Sequence, residues 1–208
     1  MELNEQVWWY VARSGGIFAW VLITLSVCWG LFISTKATAK AAQPARVLDL
    51  HRFLGGLAVA FTMVHIVGLV ADSYVYFGWS EVLVPFATDW KPGAVAWGIL
   101  AFYLLLAVEI SSLLMKHLPR RLWMGIHRLS FVVYVGSTLH GLQAGTDVLN
   151  DWYRIAMLAS VNIVGFLSVV LILVHKRARD QKIAALASRS ATSSGQAAAD
   201  GAGEVAKV

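Results

Sequence analysis

Five long apolar runs constrain this chain more than any other feature. They cover about residues 16–33, 48–70, 95–115, 123–142 and 155–174. Crossing a bilayer as a helix takes about 20 mostly apolar residues, and only helices or closed barrels satisfy every backbone polar group in lipid. The five runs predict an all-α, polytopic membrane protein, a bundle of five transmembrane helices. Composition agrees: 58% of the 208 residues are hydrophobic and 14% are charged, against about 45–50% and about 25% in soluble domains. The single cysteine, Cys28, lies inside an apolar run. It excludes an internal disulfide and leaves a thiolate metal site without partners.

Charge orients the bundle. Lys36, Lys40, Arg46 and Arg52 surround the first loop, and Lys116, Arg120, Arg121 and Arg128 surround the third. Lys176, Arg177, Arg179, Lys182, Arg189 and Lys207 follow the fifth run, which leaves only Arg13, Lys91 and Arg154 of the 17 basic residues on the opposite side. Basic residues concentrate on the cytoplasmic face. The N-terminus is therefore expected outside and the C-terminus in the cytoplasm. This segregation also accounts for the net charge of +5 and excludes nucleic acid as the partner, leaving membrane lipid. Trp8, Trp9, Tyr10, Tyr74, Tyr76, Trp79, Trp90, Trp152 and Tyr153 fall near the outer boundary, at the depth amphipathic rings prefer. The acidic start "MELNEQ" lacks the basic opening of a secretory signal, so the first run is expected to remain as an anchor. Residues 1–182 read as the transmembrane domain. Residues 183–208, rich in Ala, Ser and Gly, read as a disordered cytoplasmic tail, since they cannot bury enough apolar area to order themselves.

Four histidines carry the chemistry. "HRFLGGLAVAFTMVH" places His51 and His65 at the ends of one apolar stretch, and "HRLSFVVYVGSTLH" places His127 and His140 at the ends of another. The second and fourth runs point the same way, so His51 and His127 share the cytoplasmic end while His65 and His140 share the outer end. Ionisable groups within spans mark function by default. Two imidazoles on facing helices can hold a flat metal macrocycle, and haem is the obvious one. Fourteen residues, about 21 Å at 1.5 Å each, would set two such groups across most of a hydrocarbon core of about 30 Å. Fourteen steps of about 100° return to within about 40° of the starting face, whereas the 13 steps from His127 to His140 miss by about 140°. The fourth run must then be tilted, kinked or overwound, and Gly136-Ser137 offers a kink.

Arg52 and Arg128 follow the cytoplasmic histidines, and Arg13 lies near the outer ones. Each could pair with a haem propionate, although Arg52 and Arg128 also stand where the positive-inside tendency puts charge. Gly55, Gly56 and Ala58 permit close approach of a planar ligand or of a helix. His117 and His175, beside basic residues, read as interfacial. Glu109, inside the third run, either handles protons or leans toward the interface.

The chain resembles the ferric reductase-like transmembrane domain family, which includes the membrane parts of NADPH oxidases and ferric reductases and the short bacterial MsrQ (YedZ) proteins. The resemblance rests on the 14-then-13 histidine spacing and on "VARSGGIFAWVLITLSVCWGL", "LDLHRFLGG", "VPFATDWKP", "RRLWMGIHRLSFVVY" and "LHGLQAGTD". It implies b-type haem, His51 with His127 on the inner one and His65 with His140 on the outer one, and electron transfer across a bacterial inner membrane. No G-x-G-x-x-G follows a strand-like run, so flavin is expected only on a separate partner, and the chain reads as the electron-transfer component of an oxidoreductase. A cytoplasmic flavoprotein or a membrane quinol is the expected donor. A ferric chelate, oxygen or a periplasmic redox protein is the expected acceptor. A histidine-lined proton or metal permease and a non-catalytic membrane scaffold are the alternatives.

Overall fold

The computed structural model describes residues 2–35, 44–72 and 77–205, with side chains over 6–35, 45–72 and 77–189. Lys36, Lys40, Tyr74, Tyr76 and Lys207 lie outside the described residues. The elements are α1 (Glu2–Ser34), α2 (Pro44–Ala71), the short α3 (Trp79–Leu83), α4 (Pro92–Leu113), α5 (Arg120–Arg128), α6 (Ser130–Ala144), a 3-10 turn (Thr146–Leu149) and α7 (Asp151–Val205). There is no strand among the described residues. Proline marks two helix starts: α4 has Pro at its first turn, and α5 follows Pro119, where a missing N–H is no loss.

Four helices are long and apolar enough to cross a membrane: Gln6–Ser34, Ala45–Ala71, Pro92–Leu113 and Asp151–Arg189. The stretch expected as one further span is instead broken in two. Between α5 and α6 the Leu129 N–H reaches back three residues to Ile126 O at 2.9 Å, the tightened geometry of a 3-10 turn. The α-helical pattern then resumes with Val133 N–H on Leu129 O, also at 2.9 Å. The fault expected at Gly136-Ser137 is not there. Gly136 instead lets α6 approach α4, for a Cβ on it would sit 3.3 Å from Ala101 Cβ.

The chain divides into two units, Met1–Gly165 and Phe166–Val208. In the first, α1 and α2 run antiparallel at close range. A Cβ on Gly68 would meet the Ala12 backbone N at 2.7 Å, and one on Gly15 would meet the His65 backbone N at 3.0 Å. Small residues at such contacts are how helices pack where lipid is the solvent. Ile66, Phe77, Val82, Val95, Ile99 and Phe102 join α2, α3 and α4, while Trp20, Tyr153 and Met157 join α1 to the start of α7. Large apolar side chains such as Phe18, Phe53, Ile110 and Leu158 remain exposed. That exposure would be anomalous in water and is ordinary for a helix face against acyl chains.

The second unit is the remainder of α7. It runs as helix to Val205. Alanine, the strongest helix former, accounts for the local geometry of "AALASRSA". Every described side chain of residues 172–189 is exposed, so no packing contributes to it.

Candidate functional site

The four histidines meet in two pairs. The rings of His51 and His127 lie 5.9 Å apart between centroids, at 74°. Those of His65 and His140 lie 6.2 Å apart at 73°. Because His51 meets His127 and His65 meets His140, α2 runs in the same direction as α5 and α6, as the sequence predicts. The break at Leu129 explains how a 13-residue spacing serves a 14-residue partner: it lets α5 and α6 set their two histidine directions independently.

Each ring is tethered through Nδ1. His65 lies 2.6 Å from Ala12 O and His140 lies 2.8 Å from Ala94 O. A carbonyl can only accept, so Nδ1 carries the proton in both and Nε2 keeps its lone pair. At the other level His51 Nδ1 is 3.4 Å from Ser26 Oγ, and His127 Nδ1 is 3.4 Å from Ser112 Oγ, long for hydrogen bonds. Ser112 donates its own proton to Val108 O at 2.7 Å, which leaves its oxygen to accept from His127. His65 and His140, fixed through Nδ1 to backbone carbonyls, have the outer hydrogen bond typical of metal-ligating histidine, and His51 and His127 have a hydroxyl beside Nδ1 at longer range.

On α1 the spacing of the supports repeats that of the histidines. Ala12 and Ser26 on α1 are 14 apart, and so are His65 and His51, which they hold. Glycines follow the same register. A Cβ on Gly16 would lie 2.9 Å from His65 Nδ1, and one on Gly30 would lie 3.2 Å from His51 Cε1. On α4, a Cβ on Gly98 would lie 2.8 Å from His140 Nδ1, and Ser112 is 14 residues on. None of these supports was singled out from sequence, although the 14-residue echo on α1 was available as a signal. The glycines that were singled out do other work. Gly55 accommodates the carboxylate of Glu109, which a Cβ would overlap, and Gly56 faces open space.

A cavity of about 250 Å³ lies at the level of His65 and His140, lined by these two and by Trp20, Phe102, Arg13 and Asp147 among others. Arg13 closes one edge. Its Nε donates to Asp147 Oδ2 at 2.6 Å and its terminal nitrogen to Asp147 Oδ1, a bidentate pair across 134 residues. Asn150 adds a 2.9 Å bond to the same carboxylate, and Trp9 lies under the guanidinium at 4.9 Å. The Arg13 hydrogen bond first, and its charge with Asn150 after it, hold the Asp147 carboxyl below the usual carboxylate range. Arg13 thus stands at the level expected for it, paired with a carboxylate of the chain itself. Arg52 and Arg128 are both exposed, and Arg52 approaches Asp49 at 3.9 Å. Among the described residues no group of three or more His, Cys, Asp or Glu could hold a metal ion. The ligand-type histidines are arranged as pairs alone.

Long apolar helices with two pairs of facing histidines inside them define a multi-pass helical membrane protein. The chain belongs to the ferric reductase like transmembrane component family, whose pattern matches residues 15–138. That membership points to transmembrane electron transfer. The matched residues include His51, His65 and His127 and stop two residues before His140. No curated protein and no solved structure matches the chain.

Proposed function

We propose that the chain is a two-haem electron conduit of a bacterial inner membrane, with His51 and His127 holding an inner b-type haem and His65 and His140 an outer one. The observation that carries this reading is the separation of the paired rings, 5.9 and 6.2 Å between centroids. A metal bound by two imidazoles, each with a bond of about 2 Å, separates ring centroids by about 6 Å. The Nδ1 bonds of His65 and His140 to backbone carbonyls leave Nε2 as the ligating atom there, and the hydroxyls beside Nδ1 of His51 and His127 favour the same assignment. Haem, when bound, supplies a one-electron iron centre at each level.

The chain's own residues do the rest. Ala12 O, Ala94 O, Ser26 and Ser112 orient the rings, and Gly16, Gly30 and Gly98 let the helices pass close beside them. Apolar side chains around the outer cavity exclude water, which tunes potential and suppresses side reactions. Arg52 and Arg128 receive the inner carboxylates of the macrocycle, and Arg13 is the outer candidate. The α5–α6 segment completes a fifth crossing, with the N-terminus outside and the C-terminus in the cytoplasm. A cytoplasmic flavoprotein or membrane quinol reduces the inner level, and any flavin belongs to that partner. The outer level delivers to a ferric chelate, oxygen or a periplasmic redox protein.

The test is electron flow across a sealed vesicle. Protein reconstituted into liposomes with an impermeant reductant inside should reduce external ferric chelate. Replacing either member of a histidine pair with alanine should stop it. Flux of protons or metal ions with no electron flow would favour a permease instead.

A further inference from the structure

Trp123 lies one turn before His127 on α5, and residues four apart share a helix face. Its ring stacks on that of His127, with centroids 5.4 Å apart at 29°. The Trp123 side chain is partly buried, and its Nε1 is shielded from solvent with no hydrogen-bond partner among the described residues. An indole N–H can only donate, and a buried one ordinarily finds an acceptor. Trp20 donates to Thr138 Oγ1 at 3.1 Å and Trp29 to Val47 O at 2.9 Å. Trp123 is therefore a shielded donor, beside the inner histidine pair, for which the described residues supply no acceptor.

The surrounding charge selects the missing acceptor. Arg52 and Arg128 flank the same pair. Both are exposed, and among the described residues Arg52 makes a 3.9 Å approach to Asp49 and a 4.0 Å contact with Met115 Sδ. Arg128 makes no ion pair among the described residues. One N–H donor and two guanidinium groups, with little negative charge from the chain, complement an anionic oxygen better than a neutral carbonyl.

We propose that the Trp123 indole N–H donates a hydrogen bond to a carboxylate of the haem held by His51 and His127, which makes Trp123 a positioning residue for that group. This rests on the two-haem reading above. Trp123→Phe keeps an aromatic ring against His127 and removes the donor. In the haem-loaded full chain, a spectroelectrochemical titration should show one of the two midpoint potentials shifted negative. The released carboxylate regains its full charge and favours the oxidised iron, while the other potential stays put. In the unaltered chain, free of quinone, ultraviolet resonance Raman should report the Trp123 N–H as hydrogen-bonded, assigned by its loss in Trp123→Phe. Unchanged potentials in a loaded Trp123→Phe chain overturn the proposal, as does a non-bonded N–H. A bond that appears only after a quinone is added assigns the donor to a quinone oxygen and overturns it too. In each of these cases the two-haem reading still stands, whereas a chain that binds no haem removes both.

Discussion

His65 and His140 face each other 6.2 Å apart with both Nδ1 atoms turned away, one onto Ala12 O and the other onto Ala94 O. The two carbonyls belong to α1 and α4, the helices outside the facing pair. Four helices therefore set the position of two rings, and the backbone decides which nitrogen remains free. This suits a site that must hold its ligands in one orientation, since rotating a ring would leave a shielded donor and acceptor unpaired.

The glycines that pass beside the rings give the sharpest packing test. A Cβ at Gly16 or Gly98 would come within 2.9 or 2.8 Å of a histidine Nδ1. Gly16→Ala and Gly98→Ala should each destabilise by about 1–3 kcal/mol, the usual range for overpacking, and should lower outer-haem occupancy while sparing the inner one. Gly56 has nothing within 4 Å, so Gly56→Ala should be neutral or stabilising by about 0.5–1 kcal/mol. Thermal unfolding and haem content of the three variants measure both effects.

Arg13 and Asp147 predict an acid-sensitive outer edge. The Asp147 carboxyl titrates below its ordinary value of 3.8 because Arg13 bonds and attracts the ionised form. A carboxyl with a depressed folded value stabilises fully above the unfolded value, and that contribution disappears as pH falls through the folded one. The pair should therefore be intact at neutral pH and weaken below about pH 4. Asp147→Asn should lower stability at neutral pH by about 1–3 kcal/mol, less than the 3–5 kcal/mol of a fully buried pair, because the Arg13 side chain is 33% exposed. It should also flatten the acid limb of a stability–pH curve. An unaltered limb would show that other carboxylates set it.

Gly55 and Glu109 predict coupling between α2 and α4. Gly55→Ala puts a methyl group where the Glu109 carboxylate lies; that carboxylate ends a flexible side chain and can swing aside, so the cost should stay below the about 1–3 kcal/mol of rigid overpacking. Gly55→Ala combined with Glu109→Ala should recover most of that loss, with an interaction term of about 0.5 kcal/mol in a double-mutant cycle. Additive losses would place the carboxylate elsewhere.

Much of this architecture was legible in the residues. Apolar run length located the helices, and the even-numbered position of the two histidine-bearing runs fixed their common direction. Matched depth then paired His51 with His127 and His65 with His140. The 13-residue spacing calls for a fault in the fourth run, but residue type alone does not locate it. Gly136-Ser137 looked like the weak point, whereas Gly136 is needed for close packing on Ala101 and the turn tightens at Leu129. The supports were not legible singly, because Ala12 and Ala94 act through backbone carbonyls, which any residue possesses. Nor was the partner of Arg13, since Asp147 is 134 residues away and only the folded chain brings them together.

Haem content decides the central claim. The detergent-purified chain, produced in haem-replete cells, should show a b-type spectrum that responds to dithionite, with two haems per chain. His51→Ala and His65→Ala should each leave one haem, at different midpoint potentials. A chain that purifies folded and colourless would contradict the two-haem conduit, and the paired histidines would then have to serve transport or packing instead.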